Sequence, residues 1–463
     1  MTNRFYIAKK HIKLRPAQQI ALSFLFVILT GTFLLALPIS NKAEGIPLID
    51  HLFTATSAVC VTGLASVIPI EVYTVFGQTV IIFLMQIGGL GLMTLIAIFL
   101  LAIGGRLAHH EKMVIAEATN IGSMSGLGNF LGFIIGYTLI FEFIGMILLS
   151  LVFVPEFGWT SGLFKALFVS VSAFCNAGFD NIGAASLQPY VSNVIVNLTV
   201  SSLIIMGGLG FTVWFDLTKS VNSILKQHHA VRRVIQHLQV HVKLVFVMTL
   251  LLITTGWLFL LLVEFSNPAS LGPLSFFDKI MAAYFQSVTL RTAGFATLNI
   301  ATLYPASQLM MMAFMFIGGS PGGTAGGIKT TTFALVILMV VSEILNRENL
   351  TLFKRTISRD IARRALSVMV LSFTVVFTGM LLLTMSEKAD FLVIAFEAFS
   401  AIGTVGLSMG ITPYLTDFGK IVIILLMFIG RIGPVAVAFS LKNNKKFKRS
   451  VEVAYPTGQV IVG

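Results

Sequence analysis

Gln286-Ser287-Val288-Thr289-Leu290-Arg291-Thr292-Ala293-Gly294-Phe295 runs from an apolar stretch into a glycine turn, and its last five residues have three counterparts in the chain. These are Cys60-Val61-Thr62-Gly63-Leu64, Cys175-Asn176-Ala177-Gly178-Phe179 and Gly403-Thr404-Val405-Gly406-Leu407. Successive glycines are 115, 116 and 112 residues apart. A period this long in so apolar a chain predicts four copies of one membrane unit, and four similar loops predict a ring around a pore. The units are expected over 1–110, 111–225, 226–346 and 347–463.

Composition places the chain in a membrane. Of 463 residues 56% are hydrophobic and 11% charged, and mean hydropathy is +0.93; a soluble globule carries about a quarter charged residues. The apolar run over 20–37 leads into Pro38-Ile39-Ser40 rather than a small-residue cleavage site, so no cleavable signal peptide is expected. Two cysteines, Cys60 and Cys175, give no disulfide framework. The net charge of +12 does not indicate nucleic acid, because 23 of the 31 Lys and Arg fall in clusters at 4–15, 106–112, 219–243, 347–364 and 442–449. These sit at the ends of the four units, which predicts that each begins and ends on the cytoplasmic side, with both termini there. Segments between the clusters, expected outside, carry five Lys (42, 165, 279, 388, 420) against ten acids, among them Asp50, Glu156, Asp180, Glu264 and Glu387. That excess favours an approaching cation, although ordinary solvated loops account for any one of these acids.

In the first unit an apolar run over 20–37 is followed by a stretch over 48–59 and a long run over 75–103. The middle stretch extends only ~18 Å as a helix, short of a ~30 Å hydrocarbon core. A half-length helix followed by a glycine turn is a re-entrant loop, tolerated where it lines a water-filled cavity. The same order recurs around 164–174, 276–290 and 391–402, predicting eight membrane-spanning helices and four pore loops, an all-α membrane protein around one central pore. The second long helices share Ile87-Gly88-Gly89-Leu90-Gly91, Met206-Gly207-Gly208-Leu209-Gly210, Ile317-Gly318-Gly319-Ser320-Pro321 and Ile429-Gly430-Arg431-Ile432-Gly433, in register with the loops. Small residues there let helices approach closely.

Passing a dehydrated cation requires oxygen atoms held around an axis, and backbone carbonyls before a glycine supply them. The loops offer the carbonyls of Cys60, Val61 and Thr62; Cys175, Asn176 and Ala177; Arg291, Thr292 and Ala293; and Gly403, Thr404 and Val405. None carries a carboxylate, so a hard divalent ion does not fit and a monovalent cation does, potassium first. The filter is the one place where an ion is expected to bind.

The four single-glycine loops, the stretch from Gln286 to Phe295 and the later glycine-rich break resemble the Trk/Ktr/HKT superfamily of potassium transporters over nearly the whole chain. With one helix expected before the first loop, the chain is most similar to the KtrB-type bacterial membrane subunit. Some plant relatives that pass sodium have serine in the first loop, so Gly63 favours potassium by that analogy. The resemblance implies a homodimer paired with a cytosolic ring of nucleotide-binding regulatory proteins, KtrA-like. Nucleotide would act only through that partner, the chain having no soluble domain of its own. The tail over 451–463 is expected by resemblance to reach the dimer interface.

Gly318-Gly319-Ser320-Pro321-Gly322-Gly323-Thr324-Ala325-Gly326-Gly327-Ile328-Lys329-Thr330-Thr331-Thr332 cannot remain a continuous helix. It is no phosphate-binding P-loop, because Ile328 and not glycine precedes Lys329. In the family this break is an intramembrane loop that obstructs the pore, a role the resemblance carries onto 318–332; a kinked helix without gating is the plainer reading. Arg431 replaces the glycine of the other three units and is a functional candidate by its depth in a membrane helix. It is expected either to work with the loop as a gate or to form a buried ion pair between helices. Arg291, a cation beside a cation filter, is expected to turn away and brace the loop against a buried acid, Glu397 or Glu142. Cys60 and Cys175 are expected to pack as small buried side chains. His109, His110, His228, His229, His237 and His241 fit a solvated basic face better than a metal site, since no carboxylate or cysteine accompanies them.

Together these features predict potassium uptake through a channel-like subunit in the bacterial cytoplasmic membrane, among membrane lipids, with sodium coupling left open. A sodium or mixed conduit is the alternative within transport. A membrane-embedded enzyme would need a nucleophile–base set or metal ligands at membrane depth, and a scaffold would not need four loops in register.

Overall fold

A computed structural model describes residues 16–42, 45–91, 94–95, 97, 127–227, 238–347 and 349–434. The basic clusters at 4–15, 106–112 and 442–449, the tail over 451–463, and His109, His110, His228, His229 and His237 lie outside the described residues. What is described is helical apart from one hairpin. In order the helices are α1 (Pro16–Ala36), α2 (Leu48–Cys60), α3 (Pro69–Val72), α4 (Val75–Leu90), α5 (Leu127–Phe157), α6 (Trp159–Cys175), α7 (Val194–Gly208) and α8 (Phe211–Gln227). They continue as α9 (Val240–Glu264), α10 (Phe276–Thr289), α11 (Pro305–Phe316), α12 (Thr330–Ile344), α13 (Arg359–Ser386), α14 (Phe391–Gly403) and α15 (Asp417–Ile432). The hairpin pairs β1 (Leu350–Leu352) with β2 (Arg355–Ile357) through Phe353 and Lys354, both at positive φ (46° and 61°). Two such residues twist a two-residue turn in the sense of the strands it joins.

Long helices lie outside and short ones inside. The helices α1, α5, α9 and α13 are long and apolar enough to cross a membrane. They leave apolar side chains uncovered, such as Phe26, Ile140, Leu250 and Phe377, as expected where hydrocarbon replaces water. Inside them, α2, α6, α10 and α14 have 13, 17, 14 and 13 residues, or ~20–25 Å of helix. Each helix that follows a half-helix packs on the next half-helix: α4 on α6, α7 on α10, α11 on α14, and α15 back on α2. The circuit closes.

Local chemistry fixes where these inner helices begin. The Thr74, Asn193 and Thr416 side chains accept from the N–H groups of Gly77, Val196 and Gly419, capping α4, α7 and α15. For α11, Pro305 occupies the first turn while buried Glu264, from the end of α9, accepts from Tyr304 N at 2.9 Å. Glu387, from the end of α13, does the same for Thr416 N at 3.1 Å.

Of the eight membrane-spanning helices expected, four are long and apolar enough among the described residues, and the pair α7 and α8, bent by 93° between Gly208 and Phe211, passes the same test taken together. Among the described residues, the interruption expected in the third unit has counterparts at glycines of the others. Helix α4 stops before Gly91 and α15 before Gly433, at φ 83° and 93°, while α11 and α12 are separated by 317–329. The cause is backbone: glycine at positive φ ends a helix that other residues would continue. Thr330, Thr331 and Thr332, expected within the irregular segment, open α12.

Candidate functional site

Each half-helix runs its C-terminal end into one of the four glycine loops. The residue two before each glycine is left-handed: Val61, Asn176, Thr292 and Thr404 have φ 57°, 59°, 62° and 50°. The glycines Gly63, Gly178, Gly294 and Gly406 have φ 96°, 70°, 80° and 93°. Positive φ at both positions, with one residue between them, rules out a continuous extended strand through each loop.

The four glycines face one another around a closed ring. A Cβ on Gly63 would lie 2.7 Å from the Ala177 carbonyl oxygen, one on Gly178 2.8 Å from that of Ala293, and one on Gly294 2.6 Å from that of Val405. A Cβ on Gly406 would collide with the carbonyl of Thr62, completing the circuit. Here glycine is required twice over, by space and by φ. The loop bases are held from behind. Gly63 N donates to Ser57 Oγ at 3.0 Å and Gly406 N to Ser400 Oγ at 3.1 Å. In the third loop Thr289 Oγ1 donates to Phe295 O at 2.7 Å. Four helix C-termini pointing at one place put four negative dipole ends there.

Motif glycines of the broken helices bring the backbones together. A Cβ on Gly88, Gly207 or Gly430 would collide with the carbonyl of Val59, Phe174 or Ile402, each four residues before its loop glycine. This is the close approach expected of small residues.

Segment 317–329 forms a clasped loop under the ring. Gly318 N donates to Ile328 O at 2.8 Å and Thr330 N to Gly319 O at 3.1 Å, closing its neck, and the Ser320 and Thr330 hydroxyls lie 3.1 Å apart. Its tip trades backbone bonds with the break between α7 and α8: Ser320 N to Gly208 O at 3.0 Å, Thr324 N to Gly207 O at 3.2 Å, Phe211 N to Gly322 O at 2.9 Å. A Cβ on Gly323 would lie 2.8 Å from the Gly207 oxygen. Thr324 Oγ1 donates to Phe174 O at 3.0 Å, at the base of the second loop. On the other side Gly326 packs on the Thr404 side chain and Gly327 near Gly403 O, at the base of the fourth. In the ring order Gly63, Gly178, Gly294, Gly406, the second and fourth loops are opposite, so 317–329 crosses beneath the ring on a diagonal.

Two cations lie with it. Lys329 Nζ donates to Ala325 O at 2.8 Å. The Arg431 guanidinium forks between Thr324 O on one nitrogen and Gly88 O and Gly89 O on the other. Carbonyls in the last turn of a helix have no partner within it, and those at the end of α4 receive Arg431. The two close ion pairs among the described residues are Lys420 with Asp50 at 2.6 Å and Arg363 with Asp360 at 3.4 Å, so the buried ion pair considered for Arg431 is absent there; its acceptors are backbone.

The brace expected for Arg291 is likewise corrected. Arg291 is buried, but its Nε and Nη2 have no hydrogen-bond partner among the described residues. Glu397 accepts from Thr412 on Oε1, its Oε2 having no partner among the described residues, and Glu142 accepts from Gln86 Nε2 at 3.3 Å and Cys175 Sγ; among the described residues neither acid forms an ion pair with the arginine. Cys60 and Cys175 are both fully buried. His241 is half-buried at the start of α9, and no cluster of three or more metal-ligating side chains occurs among the described residues.

Sequence reasoning missed the partners of the 317–329 loop: the break at Gly208–Gly210, the free carbonyls of Gly88 and Gly89, and the Asn176 side chain. The only available signal was that Asn176 alone among the four equivalent positions carries an amide.

Comparison with known proteins accords with this architecture. The family model described as TrkH, cation transport protein, matches residues 8–449. The chain is 41% identical to Ktr system potassium uptake protein B of Bacillus subtilis, over 98% of each. It is 38% identical to the potassium/sodium uptake protein NtpJ of Enterococcus hirae, over 99% of this chain and 100% of that one. The crystal structure of the potassium transporter TrkH from Vibrio parahaemolyticus superposes with TM-score 0.74 at 19% identity, covering 94% of this chain and 86% of that one, a likeness of fold. With four helices among the described residues long and apolar enough to cross a membrane, its ring of half-helices and a family match over most of its length, the chain is a multi-pass membrane protein and belongs to the TrkH family of cation transport proteins, transporters and not enzymes.

Proposed function

We propose that this chain carries potassium ions into the cell through the ring of four loops. The observation that carries the reading is the closed contact circuit Gly63, Gly178, Gly294, Gly406, each glycine against the carbonyl of the residue before the next. Carbonyls of Cys60–Thr62, Cys175–Ala177, Arg291–Ala293 and Gly403–Val405 replace the water shell of a monovalent cation. The four half-helix dipoles favour its charge. The units 1–110, 111–225, 226–346 and 347–463 each supply one quarter. The basic clusters set both termini on the cytoplasmic side.

Below the ring, 317–329 is the gate, closed where it crosses the diagonal. Gly318, Gly319, Ser320, Gly322, Gly323, Thr324, Gly326, Gly327 and Lys329 form it, and Arg431 pins it to the end of α4. Two positive charges, with no carboxylate within ion-pair distance among the described residues, oppose a cation there, and opening carries the loop and its charges aside. The names of relatives assigned to a Ktr system support a multi-component assembly: a homodimer of this chain with a cytosolic nucleotide-binding ring.

A mixed sodium and potassium conduit is the second reading, favoured by the relative named for both ions. Uptake of potassium, rubidium, sodium and lithium by purified protein in liposomes decides between them, with external sodium varied to detect coupling. Preference for potassium and rubidium that is lost in Gly63→Ser supports the first reading. Equal passage of sodium supports the second, and absence of cation flux with the regulator present removes both.

A further inference from the structure

Asn176 differs from its counterparts Val61, Thr292 and Thr404 in what its side chain reaches. It is fully buried, its Nδ2 donates to Arg291 O in the third loop at 3.2 Å, and its Oδ1 lies 3.2 Å from Thr324 Oγ1 in the 317–329 segment, whose one proton is shared between Oδ1 and Phe174 O. The orientation of the amide follows from these partners, since the reverse would set oxygen against oxygen at Arg291. Val61 has no polar side-chain atom, and the hydroxyls of Thr292 and Thr404 have no partner among the described residues. The other face of Thr324 takes Arg431 on its carbonyl. One residue of the diagonal loop thus joins the buried cation on one side to a carbonyl in the ring of loops on the other.

We propose that Asn176 is a positioning residue that transmits the place of the 317–329 loop to the ring carbonyls, so that ion preference depends on the state of the gate. This rests on the potassium-conduit reading above. While Thr324 donates to Oδ1, the amide is held with Nδ2 on Arg291 O, which occupies one lone pair of that carbonyl and fixes its direction. When the loop swings aside, Oδ1 loses its donor in a buried place where an unmade bond is costly. The terminal torsion of asparagine is broad and roughly two-fold, so the amide turns to another donor and releases Arg291 O. The third quarter of the ring then changes its coordination although no residue of the third loop has been touched.

The test is rubidium against sodium flux through the full chain in liposomes, for wild type, Thr324→Val, Asn176→Leu, the double variant and Thr324→Ser. Thr324→Val lowers the rubidium-to-sodium ratio about fivefold, the effect of one hydrogen bond. Asn176→Leu lowers it comparably, the double variant falls no further than either single one, and Thr324→Ser restores the ratio. A Thr324→Val protein that passes both ions faster with the ratio unchanged overturns the proposal, because a merely structural tether would behave so. A double variant whose loss is the product of the single losses overturns it as well. Should Asn176→Leu fail to fold, the Thr324→Val and Thr324→Ser pair decides alone. A wild type without preference overturns the potassium reading and this inference with it, whereas a selective wild type with an unresponsive Thr324→Val overturns only the latter.

Discussion

Replacing Arg431 with glutamine removes both a charge and a forked donor from beneath the ring. In the structure the fork joins Thr324 of the diagonal loop to Gly88 and Gly89 at the end of α4. A charge-assisted hydrogen bond contributes about 2 kcal/mol, so losing the link to Thr324 shifts the balance between closed and displaced loop by roughly 30-fold. The lost charge acts in the same direction. At an effective dielectric constant of about 20, two unit charges ~8 Å apart repel by about 2 kcal/mol, and among the described residues no carboxylate stands within ion-pair distance of Arg431 to offset this. Water in an open pore screens part of that second effect, leaving an expected rise in flux of at least about tenfold. Rubidium uptake into potassium-loaded liposomes by this chain alone measures it. Arg431→Lys keeps the charge but not the fork, and its flux should fall between wild type and Arg431→Gln. Wild-type flux in a folded Arg431→Gln protein would refute the gate; equal fluxes for glutamine and lysine would refute the electrostatic half of the reasoning.

Gly63→Ser sets a side chain at φ 96° and against the Ala177 carbonyl, with about 1–2 kcal/mol of backbone strain before any clash. Preference for potassium over sodium should fall about tenfold or more, and Gly63→Ala should match it because Cβ and not the hydroxyl is at fault; comparing the two flux ratios checks this. Gly326→Ala drives a methyl into the Thr404 side chain, so the loop must leave its diagonal, and rubidium flux should rise while Arg431 is intact. The buried pair Lys420 and Asp50 joins α15 to α2, the closing contact of the inner circuit. Asp50→Asn strands a lysine there and should cost about 3 kcal/mol, read as a lowered unfolding temperature in detergent, with Asp50→Leu combined with Lys420→Met recovering most of it.

The register of the four loops was legible because a repeat leaves the same residues at the same interval, and 115, 116 and 112 residues leave little room for chance. Half-helix lengths followed from counting apolar residues before each glycine: the expected end at 59 is Cys60, and that at 402 is Gly403. Helix continuity was misread. Gly-Gly-Leu-Gly at 207–210 suggests close packing to any linear reading, and close packing is what Gly207 provides; that Gly210 also turns the chain by 93° depends on Phe211 N finding Gly322 O, more than a hundred residues away. The acid sought for Arg291 was misplaced for a similar reason. Glu142 and Glu397 are as buried as expected, but Glu142 is engaged by Gln86 and Cys175 and one oxygen of Glu397 by Thr412, partners that only folding brings near.

By itself the sequence determined membrane residence, the fourfold period, the half-length inner helices and the glycines that line one ring, because each depends on residue type at a spacing and hydrocarbon tolerates few alternatives. Tertiary structure alone decided which loops are neighbours and which are opposite, and therefore that 317–329 runs along a diagonal. It also decided that Arg431 bonds backbone and not carboxylate among the described residues, and that the Asn176 amide lies between the 317–329 loop and the ring. Those are contacts between segments far apart in the chain, made by carbonyls every residue carries, and so they leave no mark on the order of side chains.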